Sequence, residues 1–399
     1  MSLDPALVFD VVRTPCGRGD HTGSLHSVRP IDLCAGLLRE VTDRHPNLEP
    51  GRIGDVLLGT ATPAGEQGPG FARAAVLAAG YPTTVPAATL ERGGGGGLDA
   101  VNTAATRIRA GCADLMIAGG VESASRVPTG SASGGWTVDL TTGDTLPAMP
   151  RDTAADLLAT LTNLTRAQLD AWVARSHRNA AVAESSQWLA PVRDLNGTVV
   201  LDRDELVQPT LTARTLSQLP PVREETWDYF DVVALQRFHW LNRIERLHTP
   251  ASLAADADAA AVVLLGSAAA ANAHGLIPRA RILATAVAAD DYTLALTAGA
   301  AAARIALERA GIGIDTVDCI EIAEPCAAVV LHTARELEIE LDQVNVTGGA
   351  LATGYPAGAA GAMLIGGALT TLAQTNGRYG LCVCGDGDGT GVATVIERI

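Results

Sequence analysis

The sequence predicts an α/β protein made of two similar halves separated by a different region. Strand-like and helix-like segments alternate in residues 1–125 and again in residues 251–399. In each of these stretches a glycine-rich loop leads into a helix. A βαβ pattern that occurs twice in this way indicates an internal duplication. We therefore expect three units, with residues 126–250 forming the region between the halves.

The first half contains short apolar runs that are typical of buried strands, followed by one clear helical pattern. The predicted strands cover residues 7–12, 55–60 and 114–118. The glycine run 93–97 leads into a helix predicted over 98–110, with two arginines on its exposed side. This loop and helix are expected to lie at the centre of the first half.

The second half has the same order of elements. Strands are predicted at 260–265 and 319–322, with a helix at 300–310 between them. The glycine-rich segment 348–361 leads into a further helix, and a final strand pair is expected around a turn at 386–391.

Residues 126–250 lack this alternation and are richer in Pro, Trp, Asp and Arg. They contain an amphipathic helix predicted over 166–184 and an aromatic stretch at 227–240. Long connecting segments of this kind often cover a binding site at the carboxyl ends of the strands. The aromatic stretch is predicted either to line an acceptor pocket or to cover a hydrophobic interface.

Charge and composition exclude several classes of function. The net charge is −15 over 399 residues, which disfavours nucleic acids and anionic membranes as partners. All 29 basic residues are arginines. The absence of lysine excludes a Schiff-base lysine and a P-loop lysine. Any phosphate must therefore be bound by arginine, by backbone amides or by helix N-termini.

The cysteines and the apolar segments indicate a reduced, cytoplasmic protein. Seven cysteines and no signal peptide favour free thiols. Cys382 and Cys384 form a C-x-C pair, but no histidine-rich segment makes it a zinc site, and we expect no metal. No apolar stretch reaches the roughly 18 residues that a membrane span requires.

Several motifs resemble those of the thiolases, the acetyl-CoA acetyltransferase family. They occur in the family's order along essentially the whole chain. The motifs are Val12-Arg-Thr-Pro15, Ala118-Gly-Gly-Val-Glu-Ser-Ala-Ser-Arg126, Arg175-Ser-His-Arg178, Gly354-Tyr-Pro356 and Val395-Ile-Glu-Arg398. The resemblance implies the thiolase fold, a duplicated five-layered α/β/α/β/α arrangement with an inserted loop domain. It also implies a homodimer or homotetramer that handles acyl-CoA thioesters, with no tightly bound cofactor.

The most informative departure from the family lies in the first glycine-rich loop. Thiolases carry their nucleophilic cysteine at the start of a buried helix, where the helix dipole favours the thiolate. The corresponding stretch here is Glu91-Arg-Gly-Gly-Gly-Gly-Gly97, and Gly94 falls on the cysteine. A glycine cannot form a thioester. The resemblance therefore implies a thiolase-like protein without the catalytic cysteine.

Three further family positions are altered. The family's Asn-Glu-Ala-Phe segment is Ala323-Glu-Pro-Cys326, which keeps Glu324 but loses the asparagine of an oxyanion hole. The histidine of the same hole corresponds to Tyr355, a phenol with a reference pKa of about 10 that can donate a hydrogen bond but is a poor base. The second catalytic cysteine aligns with Gly385. Only a one-residue bulge would bring Cys384 to that position, because neighbouring strand residues face opposite sides.

Other parts of a thioester site do not depend on these side chains. The family's second oxyanion hole uses backbone amides that fall at Gly94 and Gly387, so polarisation of a thioester carbonyl is still expected. Ala251-Ser252 resembles the Ala-Ser pair that lines the family's pantetheine channel, although the residues that follow differ from the family pattern. Acidic residues fall in or near the expected pocket loops, where crowding would raise their pKa and suit them to act as general acid or base; they are Glu91, Asp99, Glu324, Asp386 and Asp388. For Asp386 and Asp388 the alternative is that they are solvated acids of a turn.

Two hypotheses follow. The first is an acyltransferase that moves an acyl group from acyl-CoA or an acyl-carrier thioester directly to a bound acceptor, with Glu91, Glu324 or Cys384 as the base and a role in specialised metabolism. The second is a non-catalytic subunit that binds or scaffolds an active partner. Decarboxylation or hydrolysis driven by carboxylates is a weaker third. Ordinary thiolase chemistry through a cysteine acyl-enzyme is not expected.

Overall fold

The computed structural model describes residues 5–132, 139–183, 187–194, 196–223, 228–386 and 388–399. Ten strands form one sheet with the order β10-β11-β12-β9-β1-β8-β5-β3-β4, and β2 pairs with β8 beside this path. A separate ribbon is formed by β6 and β7. The strands are β1 (Ala6–Arg13), β2 (Gly17–Arg18), β3 (Asp55–Thr60), β4 (Ala87–Glu91), β5 (Leu115–Ser123), β6 (Val192–Arg193), β7 (Val199–Leu201), β8 (Ala257–Gly266), β9 (Ala280–Ala289), β10 (Cys319–Ile322), β11 (Tyr379–Asp386) and β12 (Thr390–Arg398).

Thirteen α-helices are present in the described residues, together with short 3-10 turns such as Gly93–Gly95. The helices are α1 (Pro30–Arg44), α2 (Phe71–Ala78), α3 (Gly96–Arg109), α4 (Leu140–Thr145), α5 (Arg151–Leu161), α6 (Arg166–Val182), α7 (Ala213–Leu216), α8 (Tyr229–Arg237), α9 (Ala268–His274), α10 (Ala298–Ala310), α11 (Ala327–Glu336), α12 (Ala350–Thr353) and α13 (Ala357–Thr375).

The two glycine-preceded helices, α3 and α13, form the central layer of the molecule. They pack against each other, and α13 contacts β5 and β8 of the first half as well as β10 and β11 of the second. Helices α1 and α2 cover the outer face of the first set of strands, and α10 covers the outer face of the second. The layer order is therefore α/β/α/β/α, which confirms the predicted fold class.

Close backbone packing explains many of the 42 glycines of the sequence. A Cβ atom added to Gly97 of α3 would lie 2.6 Å from the carbonyl oxygen of Gly358 in α13, and one added to Gly120 of β5 would overlap the same oxygen. A Cβ on Gly361 would lie 2.6 Å from the Leu98 backbone nitrogen. The central helices thus approach each other and the sheet at distances that only glycine permits.

Most of the predicted elements are confirmed. β3 and β10 have the predicted bounds, whereas α3 begins two residues earlier than the pattern indicated. The final turn is shorter than predicted because β11 extends through Asp386 and β12 begins at Thr390. In the middle region, α6 ends at Val182. The aromatic stretch forms α8, and its first residue, Trp227, lies outside the described residues.

Helix α13 is, by length and composition alone, apolar enough to cross a membrane. Two-thirds of its apolar window is nevertheless buried inside the protein (67%). Its position between two sets of strands is that of a core helix.

Candidate active site

A cleft lies where the N-termini of α3 and α13 meet the middle region of the chain. Its empty volume is about 1190 Å³, including the part that is open to solvent. Gly93 lines it from the turn before α3, and Tyr355 and Ala357 line it from the start of α13. Thr129 and Arg151 contribute from the middle region. Ligand sites are commonly found in concave regions of this kind, so we take this cleft as the candidate active site.

The glycine turn presents main chain at the start of α3. Gly93 has a φ of 45°, in the left-handed region that glycine tolerates, and Gly93–Gly95 forms a 3-10 turn that continues into the helix. Gly94 is buried in this turn. Arg92, the residue before this turn, donates through Nε to Asp99 Oδ2 at 2.7 Å. The carboxylate of Asp99, in the first turn of α3, is therefore held in an ion pair. The Gly93 and Gly95 amides donate to Glu91 Oε1 and to the Arg92 carbonyl, so the turn offers the Gly94 amide and a positive helix end but no side chain at position 94.

Tyr355 is held in place by backbone contacts with the segment before β8. Its backbone nitrogen donates to the Ala255 carbonyl at 2.8 Å, and its main chain forms a bridge with Asp256. The residue, which belongs to the motif Gly354-Tyr-Pro356, is 2% exposed and lines the cleft.

The cleft also contains acidic side chains that sequence reasoning missed. Asp256 lies 3.1 Å from Arg151 Nη2 and accepts a hydrogen bond from Thr129 Oγ1 at 2.9 Å. Asp152 lies next to Arg151 in the chain, also lines the cleft, and is 3.4 Å from Arg223 Nη1. They sit on segments that fold onto the cleft from the middle region and from before β8. The only sequence signals for Asp152 and Asp256 are the charged clusters Arg151-Asp152 and Asp256-Ala-Asp258.

Glu122 is a third missed carboxyl group. It is 3% exposed at the end of β5 and lines the cleft. It accepts hydrogen bonds at 2.9 Å from the backbone nitrogens of Ala61 and Gly358 and from Gln67 Nε2. Burial raises the pKa of Glu122, although these hydrogen bonds oppose the shift. Its contacts make it the group that fixes the start of α13 against the sheet.

Glu324 is fully buried and accepts four hydrogen bonds. The Trp172 Nε1 and Asn345 Nδ2 donate to Oε1 at 3.0 and 2.7 Å. The Ser176 Oγ and the Leu351 backbone nitrogen each donate to Oε2 at 3.0 Å. Burial raises the pKa of Glu324, and the hydrogen bonds work against this shift. Both oxygens are engaged in joining α6 to the loop before α12, and Glu324 is not among the described residues that line the cleft.

Glu91 lies at the exposed end of β4, and its Oε1 accepts a hydrogen bond from the Gly93 backbone nitrogen at 3.1 Å. It stabilises the glycine turn from outside and does not line the cleft in the part of the chain that is described.

The strand register decides which residue of β11 faces the glycine turn. Cys384 pairs with Val392, so both side chains point to the same face. A Cβ on Gly95 would lie 2.9 Å from Val392 Cγ2, whereas a Cβ on Gly385 would lie 3.0 Å from the Gly299 backbone nitrogen on the other face. Cys384 thus faces the glycine turn before α3. The one-residue bulge that was expected to be necessary for this is absent, because the β11–β12 register is regular. The residue is completely buried and is not among the described cleft residues.

The other predicted residues of the final turn are only partly described. Gly387 lies outside the described residues, as does the side chain of Asp386. Asp388 Oδ1 accepts a hydrogen bond from the Thr390 backbone nitrogen at 3.0 Å. This contact belongs to an exposed turn rather than to the cleft.

The Ala251-Ser252 pair lies next to the cleft but does not line it. The Ser252 hydroxyl is completely buried and accepts a hydrogen bond from the Thr249 backbone nitrogen at 2.8 Å. The following residue, Leu253, is the one that reaches the cleft. Ser252, which was expected to contact pantetheine, is thus engaged in a local turn instead.

A buried ion pair lies behind Leu253. The His248 Nδ1 is 2.8 Å from Asp156 Oδ1, and both side chains are at most 3% exposed. Burial alone would lower the pKa of His248, but its hydrogen bond with Asp156 and its contact with Cys326 raise that pKa to about 9. His248 is therefore charged near neutrality and fixes the loop that carries Leu253.

These observations define an α/β protein with duplicated halves and a cleft at the N-termini of two central helices. The chain belongs to the thiolase family. Residues 6–226 match the family model described as the thiolase N-terminal domain, and residues 276–398 match the thiolase C-terminal domain.

Named relatives resemble the chain over its whole length. The 3-oxoadipyl-CoA/3-oxo-5,6-dehydrosuberyl-CoA thiolase of Escherichia coli K12 is 37% identical over 420 residues, covering 99% of each chain. The 3-ketoacyl-CoA thiolase of Aeromonas hydrophila is 34% identical and covers 100% of each. The crystal structure of the Bacillus anthracis acetyl-CoA acetyltransferase superposes with a TM-score of 0.86 at 28% identity, covering 100% of both chains.

Proposed function

We propose that the protein is a thiolase-type acyltransferase that acts on an acyl-CoA or acyl-carrier thioester without forming a cysteine acyl-enzyme. The relatives that are named as CoA thioester thiolases support the substrate class. The residues of the cleft support the second part of the proposal, transfer without a cysteine acyl-enzyme.

The observation that carries the proposal is the location of the thiols. Six of the seven cysteines are buried, and the exposed one, Cys112, follows the C-terminal end of α3, away from the cleft. None of the described cleft residues is a cysteine. At the start of α3, where the family resemblance puts the nucleophile, the chain has Gly94. A thioester in the cleft would therefore meet main-chain amides rather than a thiol.

Direct transfer needs a bound acceptor, a polarised carbonyl and one base. The Gly94 amide at the start of α3 and the Tyr355 hydroxyl would donate to the thioester oxygen. The acceptor nucleophile would attack the carbonyl carbon while the CoA or carrier sulfur leaves. A cleft carboxylate, Asp152 or Asp256, would take the acceptor proton, and the leaving thiolate would finally be protonated. Arg151 would attract an anionic acceptor or a ligand phosphate.

The test is release of free CoA from a panel of acyl-CoAs in the presence of amine, alcohol and thiol acceptors. We expect CoA release that depends on the acceptor. Tyr355→Phe should lower kcat about 100-fold, because one donor to the oxyanion is lost. Tyr379→Phe, on the distant strand β11, is the matched control and should leave kcat unchanged.

Absence of CoA release with every donor and acceptor would contradict the enzyme proposal and favour the non-catalytic binding subunit. Equal kcat values for Tyr355→Phe and the unmodified protein would remove Tyr355 from the oxyanion hole. We also propose a cytoplasmic homodimer or homotetramer, which light scattering on the purified protein would test.

A further inference from the structure

A second cavity lies on the other side of the residues that carry Tyr355. It is bordered by the start of α13, the end of β10, the loop before α12 and the end of β1. Its empty volume is about 760 Å³, including the part that is open to solvent. No residue that lines this cavity has a role in the proposed transfer.

One side of this inner cavity carries a buried carboxyl group without strong donors around it. Glu321 lines the cavity, is 3% exposed, and is contacted by the Cys319 thiol at 3.7 Å. A thiol is a weak hydrogen-bond donor. Burial, with Glu324 nearby, raises the pKa of Glu321 to about 8. At neutral pH its carboxyl group is mostly protonated and can both donate and accept a hydrogen bond.

The cavity wall also carries a buried guanidinium group with one unpaired donor. Arg13 donates to Asp204 through Nη1 and Nη2 at 2.6 and 2.8 Å, and stacks over the Trp188 ring at 4.7 Å. Its Nε is buried and has no hydrogen-bond partner in the described part of the chain. Buried donors are normally paired. Since Asp204 neutralises the charge of Arg13, the cavity favours an uncharged acceptor.

Trp188, Ala360, Met363 and Leu364 give the cavity an apolar stretch along α13, and the rest of the wall includes Asn345 and three threonines. We infer that this inner cavity is a ligand site for a small uncharged molecule with a carboxamide or undissociated carboxylic acid head and a short alkyl or aromatic tail. The head accepts from Arg13 and exchanges hydrogen bonds with Glu321. The tail lies along α13.

The inner cavity and the cleft share one wall, residues 354–357. Gly354 and Pro356 line the inner cavity, whereas Tyr355 and Ala357 line the cleft. Successive residues of this extended segment therefore face opposite sites. A ligand in the inner cavity packs against the backbone that positions the Tyr355 hydroxyl, so its binding is transmitted to the cleft.

The first test is titration calorimetry of the full chain with hexanamide. We expect saturable binding with a Kd of about 1 mM or tighter, and acetamide, which lacks the tail, should bind about tenfold or more weakly. Ala360→Phe fills the cavity and should weaken hexanamide binding about tenfold or more. Ala373→Phe, an exposed position of the same helix, is the matched control and should bind like the unmodified protein. No saturable binding below about 10 mM, or equal binding by Ala360→Phe, overturns the site.

The second test is hydrogen exchange followed by mass spectrometry, with and without saturating hexanamide. Peptides that contain residues 354–357 should exchange more slowly when hexanamide is bound, because the shared wall is ordered from one side. Peptides from the distant helix α1 serve as the internal control. Unchanged exchange in the shared wall despite saturable binding would show that the site is not coupled to the cleft.

Discussion

The loops that lead into the two central helices meet the same packing demand but differ in chemistry. In the first turn of α3, Gly96 and Gly97 fit against strand β3 and helix α13, and the preceding Gly93 and Gly94 bring no side chain to the cleft. In the first turn of α13, Gly358 fits as tightly against β5, but Tyr355, just before the helix, lines the cleft. The starts of both helices are closely packed, but only the segment before α13 brings a reactive side chain to the cleft. Glycine content therefore reports on close packing and does not by itself indicate whether a site is catalytic.

The largest expected effect concerns packing. In Gly120→Ala, the new Cβ would overlap the Gly358 carbonyl oxygen at the start of α13, and neither backbone can move away easily. We expect a loss of about 3 kcal/mol or more in the free energy of unfolding, measured with denaturant. Gly36→Ala in α1 is the control, because its Cβ would meet nothing within 4 Å. It should stabilise the protein by about 0.5–1 kcal/mol. A stable Gly120→Ala protein would show that the close approach is not required.

A smaller, pH-dependent effect is expected from the buried pair behind the cleft. The folded-state pKa of His248 is raised from 6.5 to about 9, so its stabilising contribution is present below pH 6.5. That contribution should be lost as the pH rises from 6.5 through 9, at a cost on the order of 3 kcal/mol. We expect the free energy of unfolding to fall over this range, and His248→Gln to lack that part of the fall.

His21→Gln, at an exposed position, is the control for this titration and should keep the pH dependence of the unmodified protein. If His248→Gln and the unmodified protein lose stability equally between pH 6.5 and 9, the His248–Asp156 pair is not charged as described.

The smallest expected effect is in the loop before α3. Gly94→Cys places a thiol at the helix N-terminus, but Ala323 and Tyr355 remain at the positions that, by the family resemblance, correspond to an asparagine and a histidine. We expect no measurable thiolysis of acetoacetyl-CoA. Gly94→Ala, which adds a side chain without sulfur, is the matched control for folding and for CoA release. Appreciable thiolysis by Gly94→Cys alone would contradict the proposal that Ala323 and Tyr355 also exclude ordinary thiolase chemistry.

Much of the fold could be predicted from the sequence, because strand and helix periodicities repeat in both halves and the glycine loops mark the central helices. Tyr355 was assigned to the site from its motif, and it lines the cleft. Arg151, Asp152 and Asp256 were missed, because they reach the cleft through tertiary folding of segments that carry no local pattern. From the sequence, Glu324 was a candidate base. The four donors that occupy its carboxylate could not be foreseen, because they come from distant parts of the chain.

The position of Cys384 illustrates a limit of a different kind. An alignment without gaps assigns the second cysteine to Gly385, one residue away. Neighbouring residues of β11 point to opposite faces of the strand. The pairing of β11 with β12 decides which of the two residues faces the glycine turn. The register with Val392 directs Cys384 toward the turn, although the residue stays buried.

The central claim, thioester chemistry without a cysteine acyl-enzyme, is tested most directly by intact-protein mass spectrometry after acid quenching of a reaction with acetyl-CoA. We predict that the protein mass stays unchanged while free CoA is released in the presence of an acceptor. A stoichiometric gain of one acetyl group, mapped by peptide analysis to Cys384 or to any other cysteine, would contradict the account.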